Sequence, residues 1–230
     1  MIAAFVKAVG QLSEPDLRRV VLRALFGAAA IFVLMCAGGW LLVAQIQLSE
    51  IAALNVAIDL LGGLAILVVA ILLYPAAVTA IIGFFLEDVA EAVERRHYPR
   101  LPQARNQTLG EAIFASLRFA LIALALNVLA LPLYLVLLFV PPLNIFVFYG
   151  VNGYLVGREY FELAAFRRLP PEEARGLRQA NRLRIFVAGV LTAFLLTVPF
   201  VNLVAPILGT AAMVHIFEAL RRPARAGSSP

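Results

Sequence analysis

Charged residues and cysteine are both scarce in this chain. Of its 230 residues only 14% are charged and 63% are hydrophobic, and the mean hydropathy is +0.93. Soluble globular domains are roughly half apolar and a quarter charged, so this excess is too large for a buried core. The single cysteine, Cys36, lies in an apolar run, which excludes a disulfide framework and a thiolate metal site. We therefore predict one integral membrane domain, residues 1–222, and a disordered tail, residues 223–230.

Catalytic signatures are missing as well. The chain has no H-E-x-x-H, P-loop or G-x-S-x-G motif. Its two histidines, His97 and His215, are far apart in sequence, and His215 is better explained as a packed or interfacial residue than as a ligand. A membrane enzyme therefore has no supporting cluster of residues. We predict a protein that is not an enzyme and that uses neither a metal nor a cofactor.

Two long apolar runs predict transmembrane helices in an all-α membrane protein. Residues 24–46 carry no charge and form about 23 residues of helix, roughly 34 Å against a hydrocarbon core of about 30 Å. Residues 51–86 continue into the amphipathic segment 87–96 with no breaker between them, so the second helix should project beyond the membrane, and Pro75 should kink it. The segment 1–12 is too short to span and suits an interfacial helix, and residues 169–184 form a further amphipathic helix.

Prolines interrupt the remaining apolar runs. Residues 141–144 (PPLN) and 199–202 (PFVN) each combine a proline, which breaks a helix, with an asparagine that favours a turn. The arms of the second hairpin are only about 14 residues, or roughly 21 Å, which is too short to cross. We therefore predict two re-entrant hairpins, although six full crossings would satisfy the charge pattern equally well. The tips are formed by Pro141, Asn144, Pro199 and Asn202.

Polar and small residues in these hairpins allow two interpretations each. Asn144 and Asn202 either line a pore or cap the backbone at the tips, because an asparagine at depth must find partners in both cases. Gly153 and Gly157 have the spacing of close helix contacts in lipid. We interpret that spacing as packing within the hairpin rather than as a substrate path.

Basic residues lie on one side of the membrane under this topology. All 19 lysines and arginines fall within segments 7–23, 95–118, 158–184 and 221–225, and the link 47–53 has none. The positive-inside rule then places both termini in the cytoplasm. The net charge of +5 is thus explained by topology, and we predict no nucleic-acid partner.

Arg18 and Arg19 form a basic pair at the edge of the first crossing. One interpretation is an anchor that contacts lipid headgroups. The other is an anion attractor at the mouth of a path, since clustered positive charge raises the local concentration of anions.

Several features are found along the chain. They are an N-terminal amphipathic helix, the segment LRRV (17–20), a long second helix ending in AEAVE (90–94), the paired P-x-x-N tips and the segment NGYLVGREYFE (152–162). Together they resemble the CysZ-type sulfate permeases and the related etoposide-induced proteins, and the last segment resembles the bacterial branch. The resemblance extends from about Phe5 to Leu220.

The resemblance implies a bacterial inner-membrane protein that passes sulfate inward for cysteine synthesis without hydrolysing ATP. It further implies two full transmembrane helices, two hemi-penetrating hairpins and assembly as a homo-oligomer in the lipid bilayer. The implied anion site combines Arg18 and Arg19 with a stretch that ends at Glu91 and offers backbone amides in the family. Here Glu87 and Asp88 stand in that stretch, and their carboxylates would repel sulfate. A second hypothesis is therefore a non-transporting membrane scaffold or stress-related protein with a basic cytoplasmic face.

Overall fold

A computed structural model of the chain describes residues 2–43, 52–199 and 201–221. The predicted disordered tail, residues 223–230, lies outside the described residues. Within these ranges the chain forms α-helices joined by short turns and contains no β-strand. The all-α membrane fold predicted from the sequence is therefore confirmed.

Eight α-helices follow one another along the described chain. They are α1 (Ile2–Gln11), α2 (Pro15–Val43), α3 (Ala52–His97), α4 (Leu109–Val136), α5 (Pro141–Phe166), α6 (Pro171–Ala180), α7 (Arg182–Thr197) and α8 (Ala205–Arg221). Two 3₁₀ turns, Leu137–Phe139 and Val201–Leu203, lie between α4 and α5 and between α7 and α8. The described chain divides into two compact units, Arg18–Phe85 and Met1–Leu17 with Leu86–Pro230.

Local sequence explains where several helices begin. The N–H of Glu111 donates to the Thr108 hydroxyl over 3.2 Å, and the N–H of Thr108 donates to the Glu111 carboxylate over 3.3 Å. This reciprocal capping satisfies two of the N–H groups that a helix start leaves unpaired. α5 and α6 each begin with a proline, Pro141 and Pro171, which fits the first helical turn because no N–H is needed there.

Helices α2 and α3 pack closely within the unit Arg18–Phe85. A Cβ at Gly39 would lie 2.8 Å from the Ile66 side chain, and a Cβ at Gly63 would lie 3.0 Å from the Trp40 ring.

The segment Pro15–Leu41, 27 residues, is apolar and long enough to cross a membrane. α3 is one continuous helix of 46 residues, so the second apolar run and the amphipathic segment after it belong to the same helix, as predicted, and the kink at Pro75 stays a prediction.

The two hairpins differ in the length of their arms. The segment Leu109–Phe139, 31 residues, is also apolar and long enough to cross a membrane. The argument from length therefore does not apply to the first hairpin. α7 and α8 have 16 and 17 residues and are only about 24–26 Å long. The argument from length therefore still applies to the second hairpin. Re-entrance remains a prediction for both.

Each predicted tip is a break between helices. After the 3₁₀ turn Leu137–Phe139, Val140 has φ −132° and ψ 70°, and α5 begins at the next residue, Pro141. In the second hairpin the backbone N–H of Asn202 donates to the Val198 carbonyl over 2.9 Å. Val201–Leu203 then forms the 3₁₀ turn before α8. Proline thus ends the apolar helices at the two positions expected.

Glycines bring the two hairpins into close contact. A Cβ at Gly157 on α5 would lie 2.6 Å from the carbonyl oxygen of Ile185 on α7. A Cβ at Gly189 on α7 would overlap the carbonyl oxygen of Gly153 on α5, and one at Gly209 on α8 would overlap Thr192. The glycine spacing therefore serves close helix packing, as predicted, but between the hairpins rather than within the first one.

We expect Gly189→Ala to lower the free energy of unfolding by about 1–3 kcal/mol, the usual effect of overpacking a tight contact. Gly150→Ala is the matched control, because a Cβ at Gly150 meets no atom within 4 Å and alanine favours a helix. Thermal unfolding of the purified protein in detergent measures both. Equal melting temperatures for Gly189→Ala and Gly150→Ala would contradict the packing.

Single cysteines at the tips test whether the hairpins turn back inside the membrane. In a Cys36→Ala background, Phe139→Cys and Val201→Cys place one thiol at each 3₁₀ turn. Re-entrant hairpins predict that neither thiol reacts with a membrane-impermeant maleimide added outside the cell. Ser49→Cys, in the link predicted to face outward, should react and serves as the positive control. Labelling at position 139 or 201 that is as rapid as at Ser49→Cys would mean that the hairpin crosses the bilayer.

Candidate functional site

The predicted anion-site residues fall in different units of the structure. Arg18 and Arg19 are exposed on α2 and are the first residues of the unit Arg18–Phe85. Glu91 is exposed on α3 and belongs to the other unit. Their joint role in binding an anion therefore stays a prediction.

The stretch that should offer backbone amides is the interior of a helix. Residues 87–91 lie within α3, more than one turn from its end at His97. Their N–H groups are therefore engaged by carbonyls of the preceding turn. Val89 and Ala90 are buried, and Glu87, Asp88 and Glu91 are exposed. An anion approaching this face of α3 would meet carboxylates rather than free amide groups.

One buried carboxylate, Glu94 on α3, is held by two arginines from the end of α5. The Arg167 guanidinium donates to Glu94 Oε2 from Nη2 over 3.0 Å and from Nε over 3.3 Å. Arg168 donates from Nε to Oε1 over 3.2 Å and from Nη2 to Oε2 over 2.5 Å, and its Nη1 donates to the Pro102 carbonyl. Glu94 is only 4% exposed, so this cluster is a nearly dry group of charges with an excess of one positive charge.

The connector after α3 lies against the same cluster. The N–H of Arg105 donates to the Arg167 carbonyl over 2.8 Å, and Arg105 Nη1 pairs with Glu111 Oε2 over 3.0 Å. A cavity of about 460 Å³ lies here, lined by Glu91, Glu94, Arg95, Arg167 and Arg168 among others. Glu91 is thus near arginines that the sequence did not associate with it.

A second buried cluster joins α5 to α6. Arg158 Nε donates to Glu162 Oε1 over 2.9 Å, and Arg178 Nε lies 3.4 Å from the same oxygen. Arg158 is 2% exposed, and its guanidinium carbon lies 5.9 Å from the centroid of the Phe119 ring on α4. The Arg158–Glu162 pair follows from i, i+4 spacing on one helix. No sequence signal identified Arg178 as its third member.

His215 on α8 joins α1 to the end of α3. Gln11 Nε2 lies 2.7 Å from His215 Nε2, and His215 Nδ1 lies 2.7 Å from the Tyr98 hydroxyl, so both ring nitrogens have hydrogen-bond partners. Burial, together with the nearby charges of His97 and Lys7, lowers the pKa of His215 to about 4. The ring is therefore neutral at pH 7. His215 is a packed residue, as expected.

The tip residues mainly satisfy the backbone. Asn144 Nδ2 donates to the Tyr134 carbonyl over 3.4 Å, which caps the end of α4 from the start of α5. Its Oδ1 is buried and has no hydrogen-bond partner within the described ranges. Pro141 is the first residue of α5, Pro199 is exposed in the second turn, and Asn202 lies in the following 3₁₀ turn. The capping interpretation thus describes Asn144, and a pore-lining role for either asparagine stays a prediction.

A family model described as "Sulfate transporter CysZ/Etoposide-induced protein 2.4" matches residues 4–206. This range covers the elements from α1 to the start of α8. Comparison with curated proteins and with solved structures gave no match.

Glu94→Gln should be strongly destabilising, because it leaves the charges of Arg167 and Arg168 buried without a carboxylate. We expect a loss of about 3 kcal/mol in the free energy of unfolding, the usual effect of removing one partner from a buried ion pair. Glu172→Gln is the matched control, since the Glu172 side chain is 90% exposed and lies 3.9 Å from Arg175. Chemical unfolding in detergent measures both, and an unchanged Glu94→Gln protein would refute the importance of the cluster.

Proposed function

Because this chain belongs to the sulfate transporter CysZ/etoposide-induced protein 2.4 family, we propose that it is a permease that passes sulfate or a similar small anion across the bacterial inner membrane. Family membership supports a sulfate-transporter-like role in general, and it is the observation that carries the proposal. The anion would supply cysteine biosynthesis. Both termini would lie in the cytoplasm, where the positive-inside rule puts them.

Arg18 and Arg19 would attract the anion. Both are exposed and lie within two helical turns of the apolar run 24–46, with Arg23 between, so their charges lie near the place where the polar and apolar parts of α2 meet. Positive charge at such a boundary raises the local concentration of a divalent anion and its rate of entry. Selectivity would come from hydrogen-bond donors and positive charge at a constriction of the path.

The hairpin tips near Asn144 and Asn202 would line this path in a homo-oligomer. Irregular backbone at membrane depth is tolerated only against protein or beside water. In a single copy the first tip carries Phe139, which is 87% exposed, and Leu138, which is 65% exposed. A second copy packed against these side chains would cover the 3₁₀ turn, which supports the proposed assembly.

A non-transporting membrane scaffold or stress-related protein is the second candidate. The exposed carboxylates of Glu87, Asp88 and Glu91 favour it, together with the engaged backbone amides of residues 87–91. These features remove the donors that the family's anion site would use on α3. The basic face would then bind lipid headgroups or a partner.

Uptake of labelled sulfate into proteoliposomes tests the permease. Arg18→Ala/Arg19→Ala should reduce the initial rate by about tenfold, because the local excess of anions near the pair is lost. Arg100→Ala/Arg182→Ala removes the same charge from two other exposed arginines and should transport like the wild type. Equal fluxes from the Arg18/Arg19 variant and the wild type would refute the assigned role.

An absence of flux from the wild-type protein would instead favour the scaffold. Growth on limiting sulfate then separates the two functions. A permease should restore growth to a bacterial strain that lacks its own sulfate uptake, and a scaffold should not.

A further inference from the structure

A polar cavity of about 750 Å³ lies beside α1, the end of α3, the start of α7 and the end of α8. Lys7, Tyr98, Arg184, His215 and Glu218 line it. Its volume is that of a typical small-ligand site, which spans roughly 300–1,000 Å³. Of these residues only His215 and Tyr98 are used by the contacts described above, where they pair with each other. The cations and the carboxylate of this cavity have no role in the proposed permease.

Glu218 supplies an acceptor that the protein leaves unfilled. Glu218 is fully buried, and its Oε2 accepts a hydrogen bond from Arg221 Nη2 over 3.1 Å. Its Oε1 has no hydrogen-bond partner in the described part of the chain. A buried carboxylate oxygen without a donor is costly, and donors to it are worth more than donors to a neutral group. The carboxylate therefore favours a ligand that brings a cationic N–H donor.

Lys7 and Arg184 supply the opposite charge at the same cavity. Lys7 lies on α1 and Arg184 in the first turn of α7, and both are exposed. Neither forms an ion pair with a residue that the structure describes. An ammonium and a guanidinium at one cavity are the usual partners of a phosphate group. The cavity thus presents separate sites for a cation and for a phosphate.

The position of the cavity along the helices matches the depth of lipid headgroups. Arg184 directly precedes the apolar run 185–198, and Glu218 directly follows the apolar run 203–217. α1 exposes Ile2, Val6 and Val9, which are 77%, 65% and 55% exposed. A short helix with such a face lies in the membrane interface. The polar lining therefore begins where the apolar helices end.

We propose that this cavity binds a phosphate ester that carries a primary ammonium group, with the ammonium donating to Glu218 and the phosphate held by Lys7 and Arg184. Phosphatidylethanolamine in the membrane and soluble O-phosphoethanolamine both have this chemistry. The site does not involve Arg18, Arg19 or the hairpin tips, and sulfate flux is not its readout. Its test therefore succeeds or fails independently of the proposed permease.

Lipid retention tests the headgroup specificity. The full chain in detergent is mixed with equal amounts of phosphatidylethanolamine, phosphatidylcholine and phosphatidylglycerol, and bound lipids are counted by native mass spectrometry. Phosphatidylcholine has the phosphate but a quaternary ammonium that cannot donate, and phosphatidylglycerol has no ammonium. We expect phosphatidylethanolamine to bind about tenfold more tightly than either, the ratio that one charge-assisted hydrogen bond supplies.

Four variants separate the two ends of the ligand. Glu218→Gln should abolish the preference for phosphatidylethanolamine, and Lys7→Gln and Arg184→Gln should weaken all three lipids by a similar factor. Arg182→Gln is the control, because Arg182 is exposed on the same helix as Arg184 and is outside the cavity lining. Lys7→Gln and Arg184→Gln change exposed side chains, so they test the site even if Glu218→Gln does not fold. Melting curves show whether the Glu218→Gln protein is folded.

A second experiment shows whether the ligand is a membrane lipid or a soluble molecule. In nanodiscs of phosphatidylglycerol alone, O-phosphoethanolamine and inorganic phosphate are titrated by calorimetry. Binding of O-phosphoethanolamine that depends on Glu218 supports the site and assigns it to a solute, and retention of the lipid alone assigns it to the headgroup. Equal binding of all three lipids together with no binding of O-phosphoethanolamine would overturn the proposal. An ammonium preference that survives in a folded Glu218→Gln protein would overturn it as well.

Discussion

The near-contact of two helix backbones holds the two hairpins together. Gly153 and Gly157 on α5 and Gly189 on α7 leave no space for a Cβ between the helices, so carbonyl oxygens and Cα atoms pack directly. In lipid the hydrophobic effect does not drive one apolar helix against another, so close van der Waals contact must do so. The arms of the second hairpin are also short. Their position therefore depends on this contact more than on their own fit to the bilayer.

Charged groups at the ends of the helices are organised around buried carboxylates. Glu94 is bound by Arg167 and Arg168, and Glu162 lies between Arg158 and Arg178. In both clusters two guanidiniums surround one carboxylate, which leaves local positive charge at low exposure. Such a cluster tolerates the loss of a carboxylate poorly, because the remaining charges are desolvated.

The proposed permease and its alternative differ in what α3 presents. A family member that binds sulfate through backbone amides needs a helix end or an unwound segment, and here residues 87–91 lie inside a continuous helix with three exposed carboxylates nearby. In the proposed permease, the arginine pair at residues 18 and 19 would then be the main source of attraction for an anion. The cavity with Lys7, Arg184 and Glu218 is chemically different, since it combines both charges and suits a zwitterionic ester. Anion passage and headgroup binding would therefore use separate groups of residues.

Sequence alone determined the features that depend on neighbours along the chain. The apolar runs, the breaks at Pro141 and Pro199 and the small residues at 153 and 157 follow from helix length, from proline and from glycine, each a local property. Only the tertiary structure decided which elements meet. Gln11 and His215 are 204 positions apart, and Glu94 and Arg167 are 73 positions apart, so no periodic pattern connects them. The glycines of α5 likewise pack against α7 rather than α4. The spacing of glycines within one helix predicts a close contact, but the shape of the neighbouring helices decides which one makes it.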